Sequence, residues 1–351
     1  MQVKRVVSRT MSCLILMVPL LVTAFAHAQS IALETQYEEN ADAASLSPWR
    51  MSSVTFRNEF SALSLDRSHD LTYNPFYEMS LWADLRWWFG KTLYVRGATS
   101  VSHELTNSDT STKRGETLMG DTRLIFGASK YYTIPYALID ISSNLSFSFP
   151  TSKASQADTL VVGVAPGFTL AREFDVFKGL RLTYGLTAYK YFHRYTTGER
   201  ESPLINVGTG SSRDADSFLS TGVRNGSWRL ANMFDASLNV TNWLAFDVTA
   251  ILMNDWLYAT ADKDGRISYS PQRETNKRYA MWYVVDADFR IMPSLSIGVG
   301  TSTYSGQLAP DSTRYAPFFN RNTNFYVELR LDIDGLVGQI KSKRDSNKEK
   351  N

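Results

Sequence analysis

The segment at 324–334 reads Asn-Phe-Tyr-Val-Glu-Leu-Arg-Leu-Asp-Ile-Asp and shows a strict two-residue alternation. Apolar residues occupy every odd position from 325 to 333, and polar residues or tyrosine occupy the even positions. Successive side chains of a β-strand point to opposite faces, so a period of two predicts a strand with one apolar and one polar face. We therefore expect a strand that lies between an apolar and an aqueous environment.

The same alternation recurs along the chain, most clearly at 79–89, 137–149, 228–240 and 279–291. A comparably long helical period is not found. Alternation and turn residues together predict an all-β fold with twelve strands. The predicted strands are 51–63, 77–89, 92–105, 116–128, 137–149, 159–172, 180–195, 227–241, 243–258, 278–292, 294–305 and 322–334.

The connections between these strands alternate in length. Long polar connections fall at 64–76, 106–115, 150–158, 196–226, 259–277 and 306–321, and a short connection lies between each pair of them. Short turns on one side and long loops on the other are typical of a transmembrane barrel. We predict a transmembrane antiparallel up-and-down β-barrel over 51–334, with a soluble sandwich or propeller as the alternative. An even strand count places both chain ends on the short-turn side, which is the periplasmic side of such barrels.

The chain ends predict export. Lys4, Arg5 and Arg9 precede a short apolar run that ends in Ala26-His-Ala28, which is the pattern of a signal peptide cleaved after residue 28. The single cysteine, Cys13, leaves with this leader, so we expect no disulfide or thiol site in the mature chain. Residues 29–50 are predicted to form an acidic periplasmic extension, and 335–351 a charged periplasmic tail.

Across nearly its whole mature length the sequence resembles bacterial outer-membrane β-barrel proteins. This resemblance implies a location in the outer membrane, contact with its lipids, and insertion by the barrel-assembly machinery. One hairpin carries a more specific likeness: Ser146-Phe-Ser-Phe-Pro-Thr-Ser152, followed by Gly163 and Pro166-Gly167, is similar to a hairpin in the phenol-degradation-pathway family of outer-membrane transporters.

Twelve strands about 4.8 Å apart, tilted by about 40°, give a backbone diameter of roughly 23 Å and a bore of about 10 Å or less. Strand parity predicts that twelve acids and eight bases face this lumen, which indicates a mixed or slightly cation-favouring lining. The acids are Glu59, Asp84, Asp121, Asp140, Asp235, Asp247, Asp255, Asp286, Asp288, Glu328, Asp332 and Asp334. The bases are Arg57, Arg86, Arg96, Arg123, Arg181, Arg229, Arg290 and Arg330.

Two cross-strand charge pairs are predicted within this lining. Arg86 and Arg96 flank one tight turn and are expected to face each other, and Asp235 and Asp247 are expected to do the same around Asn242. Such pairs can set up a transverse field across a constriction. The alternative is a ladder of mutually satisfied ion pairs that fills the bore, because buried charges need partners.

The leading functional hypothesis is a channel or transporter for small-molecule solutes. The candidate lining residues are basic Arg86, Arg96, Arg123, Arg181 and Arg290, acidic Asp84, Asp121, Asp235, Asp247 and Asp288, and the rim aromatics Tyr189, Tyr191 and Tyr195. The second hypothesis is a filled barrel that interacts with partners through the loops at 196–226 and 259–277.

A third hypothesis is a hydrolase at the outer rim, built from Asp255 with His103 or His193, and we expect that the protein is not an enzyme. His69 falls in a long connection. Metal-ligand clusters and phosphate-binding glycine loops are absent as motifs, so neither a metal nor another cofactor is expected. A charged fraction of 21% also argues against a nucleic-acid partner.

Overall fold

A computed structural model describes residues 47–62, 76–106, 115–201, 218–259, 276–308 and 313–348. The predicted signal peptide and most of the acidic extension lie outside these residues. The elements are β1 Ser53–Ser61, β2 Tyr77–Phe89, β3 Leu93–Glu104, β4 Thr117–Met119, β5 Thr122–Ile134, β6 Ile139–Phe149, α1 Lys153–Ala157, β7 Leu160–Phe174, β8 Leu180–His193, β9 Thr197–Glu201, β10 Phe218–Arg224, β11 Gly226–Asn239, β12 Leu244–Leu257, β13 Lys277–Met292, β14 Leu295–Gly306, β15 Thr323–Asp332 and α2 Ile333–Lys348.

Twelve long strands form one antiparallel sheet that closes on itself. Each strand pairs with its neighbour in sequence, and β15 returns to pair with β1 from Ser53 opposite Asp332 to Ser61 opposite Asn324. The remaining seam brings β8 beside β11. There the backbone N–H of Lys178 donates to the Asn239 carbonyl, and the backbone N–H of Asn239 donates to the Gly179 carbonyl, both at 2.9 Å. The prediction of a twelve-stranded up-and-down barrel is confirmed. Closure of the sheet at this seam is what a lipid environment requires.

Among the described residues, five elements lie outside the twelve strands. β4 pairs with the end of β3, and β9 pairs with β10. The predicted strand at 116–128 is therefore divided into β4 and β5, which continues to Ile134. α1 lies in the connection between β6 and β7, and α2 follows β15 directly. Among the described residues, no helix is long and apolar enough to cross a membrane.

The two faces of the barrel wall differ as the alternation predicts. Outward positions carry large exposed apolar side chains on many strands, among them Leu81, Leu85, Phe126, Phe246, Val299, Val327 and Leu329. Inward positions carry charged and polar side chains, many of them buried, such as Arg96, Asp286 and Glu328. A closed barrel with an apolar outer band and a polar interior is a transmembrane β-barrel.

The segments that flank the barrel, 47–52 and α2, meet at its short-turn end. Residues 47–52 cross beneath the β2–β3 turn, where Trp88 donates a 2.6 Å hydrogen bond from its backbone to Pro48. The backbone of Ile333, at the start of α2, donates to Ser52 at 2.9 Å, and the Ser294 hydroxyl of the β13–β14 turn donates to Gln339 at 2.9 Å. The predicted charged tail thus contains a helix packed beneath the barrel, which the sequence analysis did not identify.

Candidate functional site

The lumen is divided along its length into a packed half near the short turns and a cavity near the long connections. In the packed half, most inward-facing charged residues are buried, with exposures from 1% at Arg96 to 7% at Asp247. The side chains of Arg57, Asp84 and Asp288 are 11–16% exposed. Water-filled channels leave their lining exposed, so this half is closed. Buried charges are tolerated only where they are paired, and the pairing follows two walls of the barrel.

The first paired wall is formed by β2 and β3. Arg86 lies directly opposite Arg96 in the register, as predicted from the turn between them. Asp84 lies between the two guanidinium groups: its Oδ1 accepts a 2.7 Å hydrogen bond from Arg96 Nε and lies 3.8 Å from Arg86 Nε. One carboxylate therefore serves two arginines that would otherwise repel each other.

The second paired wall is formed by β13, β15 and β1. Arg330 donates to Asp288 at 3.0 Å and to Glu328 at 2.6 Å. Glu328 also accepts hydrogen bonds from Arg57 at 2.7 and 2.9 Å. Asp247 and Asp286 lie opposite each other on the adjoining strands and are both buried. This wall corresponds to the predicted ladder of ion pairs, but its acids outnumber its bases.

A segment from outside the strands completes the closure. Met51 packs against Trp88, Tyr94 and Ile125 in a buried cluster, hereafter the mouth cluster. The neighbouring Arg50 is 6% exposed, lies 4.0 Å from the Trp88 ring centroid, and donates hydrogen bonds to the carbonyl groups of the β2–β3 turn at 2.9 and 3.1 Å. Trp88 Nε1 donates in return to the Arg50 carbonyl at 3.0 Å. Sequence analysis placed residue 51 in the first strand and missed this contact.

The other half of the lumen contains a cavity of about 510 Å³, hereafter the upper cavity, to which nine of the twelve barrel strands contribute. Its charged and aromatic lining residues are Trp82, Asp121, Arg123, Asp158, Tyr189, Tyr191, His193, Arg224, Arg229, Asp255 and Arg278. Such a volume is within the usual range for small-molecule sites. No local motif announces the cavity, because its residues come together only when the barrel closes.

The wall of the upper cavity combines fixed charge with aromatic rings. Arg229 and Asp255 form a bidentate ion pair at 2.6 and 2.9 Å. Tyr189 and Tyr191 stack with ring centroids 5.7 Å apart, and the Arg229 guanidinium lies 5.9 Å from the Tyr191 ring. Among the described residues Arg123 forms no ion pair, so its guanidinium group is available to a solute in this wall.

α1 and the end of β8 form the border of the upper cavity at the long-connection side. Asp121 accepts a 3.0 Å hydrogen bond from the backbone of Ser152, the N-cap of α1, and another from the Ser155 hydroxyl. His193 and Asn225 both bond to the Asp158 carbonyl at 2.7 Å. The predicted lining residue Asp121 therefore holds α1 in place.

On β7, β8 and β11–β13, a buried apolar cluster lies between the upper cavity and the packed half. Its buried residues are Ala165, Tyr189, Ala231, Met233, Ile251, Met253 and Trp282. These side chains share the inward parity of Arg229, Asp255 and Asp286 on their strands. The sequence analysis expected a polar lumen throughout and missed this cluster, because apolar residues on both faces of β11–β13 weaken the alternation.

The other predicted site residues are distributed around the barrel. Arg181 contacts Glu173 at 3.3 Å, and Arg290 lies at the short-turn end, 3.5 Å from the Asn242 carbonyl. Tyr195 is 58% exposed beyond the end of β8 and is not part of the upper cavity lining. The structure thus brings Arg123, Asp121, Tyr189 and Tyr191 together in the upper cavity. Arg181, Arg290 and Tyr195 are not part of its lining.

The predicted facing of Asp235 and Asp247 is wrong. In the register of β11 and β12, Asp235 lies opposite Thr249 and Asp247 lies opposite Ser237. The turn centres the pairing on Asn242, which displaces the two aspartates diagonally by two residues. Asp235 instead accepts a 2.7 Å hydrogen bond from Thr249.

The candidate hydrolase residues have other partners. His103 bonds to the Thr117 hydroxyl at 2.9 Å, and His193 bonds to the Asp158 carbonyl, so neither has a carboxylate partner among the described residues. Asp255 is held by Arg229. His69 lies outside the described residues.

Comparison with solved structures returns bacterial outer-membrane barrels. An outer-membrane channel from Pseudomonas putida F1 is 11% identical, with 84% of this chain and 98% of that chain covered and a TM-score of 0.47. The translocator domain of the autotransporter NalP from Neisseria meningitidis is 8% identical, with 87% of this chain and 94% of that chain covered and a TM-score of 0.37. Outer membrane phospholipase A from Escherichia coli is 9% identical, with 88% of this chain and 99% of that chain covered and a TM-score of 0.31.

No protein-family profile matches the chain, and no curated protein matches it. The class of the protein is nevertheless defined by its own structure: a closed antiparallel barrel of twelve strands, apolar outside and polar inside, with the fold of the bacterial outer-membrane β-barrel proteins.

Proposed function

We propose that this protein is an outer-membrane channel or transporter for small solutes, in which the upper cavity binds the solute and the packed half of the lumen is the closed gate. The observation that carries this proposal is the cavity of about 510 Å³ inside the barrel wall. A barrel that served only as a rigid anchor would not need a cavity of ligand size lined by both charges and stacked rings.

The lining of the upper cavity supports a preference for amphipathic solutes with a negative group. Arg123 is free of ion pairs among the described residues, whereas Asp255 is neutralised by Arg229. Arg224 and Arg278 add positive charge at the border, and the rings of Tyr189 and Tyr191 offer a stacking surface. A guanidinium group suits carboxylate and phosphate geometry.

Conductance in a planar bilayer tests the proposal. Protein lacking residues 1–28, refolded without lipopolysaccharide, should show discrete open steps, and vesicles that contain it should take up small organic anions. A change in gel mobility on boiling would establish folding beforehand. If folded protein conducts no ions and takes up no solute, the proposal is wrong.

Replacing Arg123 with glutamate should shift the ion selectivity towards cations, because the change reverses the free charge on the cavity wall. We expect the reversal potential under a salt gradient to move towards the cation value. Arg172→Glu makes the same charge change on the outward face of β7 and should leave the reversal potential unchanged. Equal shifts in both variants would place the selective site elsewhere.

The packed half of the lumen supports a second candidate function, a structural or surface-interaction barrel that acts through the loops at 196–226 and 259–277. The buried ion pairs of Asp84 and Glu328 are the observation in its favour. The bilayer experiment separates the two functions, because this second function requires no conduction.

We further propose that the protein is not a hydrolase. Cleavage of phospholipid or peptide that is lost in His103→Ala would contradict this.

Export by a cleaved leader is part of the same proposal. The mature protein, isolated from the outer-membrane fraction of a Gram-negative host, should begin at Gln29. An N-terminus that retains the apolar run would instead indicate an uncleaved anchor.

A further inference from the structure

The packed half of the lumen contains an excess of buried negative charge. On β12, β13 and β15, the carboxylates of Asp247, Asp286, Asp288 and Glu328 are all inward-facing, and the guanidinium groups that pair with this set belong to Arg57 and Arg330. Arg290 and Asp332, on the same strands, lie nearer the short turns and are not counted with them. This group therefore has four carboxyl groups and two guanidinium groups, an excess of two acids. Arg57 also contacts Glu59 at 3.8 Å, which makes the imbalance greater. Burial of unpaired charge is costly.

The free carboxylate oxygens mark where this imbalance is concentrated. Oδ1 of Asp286, a residue only 3% exposed, has no hydrogen-bond partner, and neither has Oδ1 of Asp288. Oxygen atoms of Asp286, Asp288 and Glu328 lie within 4.8 Å of one another. In a Ca²⁺ site, with ligands at about 2.4 Å, oxygens on opposite sides of the ion are about 4.8 Å apart. The three oxygens are therefore close enough together to bind one Ca²⁺ ion.

Two of the other buried groups that lack hydrogen-bond partners lie in the same part of the sheet. Asp247 is 7% exposed, lies directly opposite Asp286 on the neighbouring strand, and has an unpartnered Oδ1. Tyr326 is 1% exposed, and its hydroxyl group has no partner either. Both lie in the cross-strand row of Asp286, since Gly300 of β14 is opposite Asp286 on one side and Tyr326 on the other.

The wall of β14 leaves space for these groups. Gly298 lies opposite Asp288 on one side and Glu328 on the other. A Cβ atom at Gly298 would meet Glu328 Cγ at 2.8 Å and Asp288 Oδ1 at 3.3 Å, and one at Gly300 would meet the Tyr326 ring at 2.7 Å. The carboxylates and the phenol thus occupy the room where side chains of β14 would stand, which gives them a shared cradle.

We propose that this cradle binds one divalent cation, with Ca²⁺ as the best fit and with Asp286, Asp288, Glu328 and Asp247 as ligands. Carboxylate oxygens are the ligands that this hard cation prefers. Its two positive charges would balance the excess of two acids and join β12, β13 and β15 in the closed half of the lumen. Sequence analysis expected no metal, because the four residues come from three strands and form no motif.

Calcium binding can be measured directly on the refolded mature chain in detergent, free of lipopolysaccharide and dialysed against a chelator. Titration calorimetry with CaCl₂ should show one ion per chain, and Asp286→Asn should weaken binding at least about tenfold. Asp235→Asn is the matched control: Asp235 is similarly buried on the neighbouring β11 and also has one unpartnered oxygen, Oδ2, but it is hydrogen-bonded to Thr249 and lies outside the cluster of three acids. This control should retain calcium affinity within about threefold, since it removes no ligand.

A second measurement does not depend on the folding of a variant in the acidic cluster. Terbium added to the unaltered protein should luminesce on excitation of tyrosine, and excess Ca²⁺ should displace it. Tyr326→Phe should weaken this signal. The proposal is overturned if the folded wild-type chain binds no Ca²⁺, or if Asp286→Asn and Asp235→Asn bind it equally. In the first case the excess charge is neutralised by protons shared between the acids.

Discussion

Replacing Arg330 with glutamine should lower the free energy of unfolding by about 3–5 kcal/mol, because it removes one partner from a buried ion network. Arg330 is 4% exposed and bonds to both Asp288 and Glu328. Glutamine keeps some hydrogen-bonding capacity but no charge. The carboxylates would then be buried with Arg57 as their nearest cation, in a wall that already has an excess of acid.

The measurement is urea unfolding of the barrel from lipid vesicles, followed by tryptophan fluorescence, in the presence of a chelator. Arg290→Gln is a suitable control, since Arg290 is half-buried and contacts the Asn242 carbonyl at 3.5 Å. Its loss should cost less than about 1 kcal/mol, as is usual for solvent-accessible charges. In Arg330→Gln, the additional change Asp288→Asn should recover part of the lost stability. If Arg330→Gln and Arg290→Gln unfold alike, the network does not stabilise the closed half.

The strands and their order could be predicted because the signal for them is local. Alternation within a segment such as 324–334 depends only on neighbouring residues, and the lengths of the connections indicate which strands are joined by short turns. The opposition of Arg86 and Arg96 was also predictable, since a tight turn determines the register of the strands beside it.

The interior of the barrel could not be predicted to the same extent. The error at Asp235 and Asp247 shows why: a displacement of two residues keeps both side chains inward but changes their partners. The upper cavity and the acidic cradle need more than register, because they unite residues from strands that meet only across the lumen. The glycines of β14 could not be linked to the cradle from the sequence, because the residues that contact them lie on other strands.

The mouth cluster was missed for a different reason. Met51 precedes a clear strand and was added to it, although its backbone has a φ of 64°, which no strand adopts. This left-handed conformation turns the chain from the barrel wall into the lumen. Arg50 reads as a solvent-exposed charge in the sequence, yet it is buried over Trp88. The adjacent tryptophans Trp87 and Trp88 gave the one local signal, since strand parity places them on opposite faces.

Replacing Trp88 with alanine should both destabilise the barrel and open its short-turn end. Trp88 is 3% exposed, packs against Tyr94 with ring centroids 4.9 Å apart, and holds Arg50 through its ring and its indole N–H. Removal of a buried tryptophan side chain costs about 3–5 kcal/mol. Met51 and Arg50 would lose their main contact, so the segment that covers the mouth would be released.

We therefore expect Trp88→Ala to raise the mean single-channel conductance several-fold above that of the unaltered protein, in addition to lowering the urea concentration at the unfolding midpoint. Trp87→Ala is the matched control, because Trp87 is the adjacent residue, is 50% exposed, and points outward. Trp87→Ala should change the conductance little, and it should lower the stability less than Trp88→Ala does. The two measurements separate the contribution of the mouth cluster to stability from its contribution to closure. If Trp88→Ala loses stability without an increase in conductance, the ion networks of Asp84 and Glu328 close the lumen by themselves. The gate would then lie in those networks rather than in the N-terminal segment.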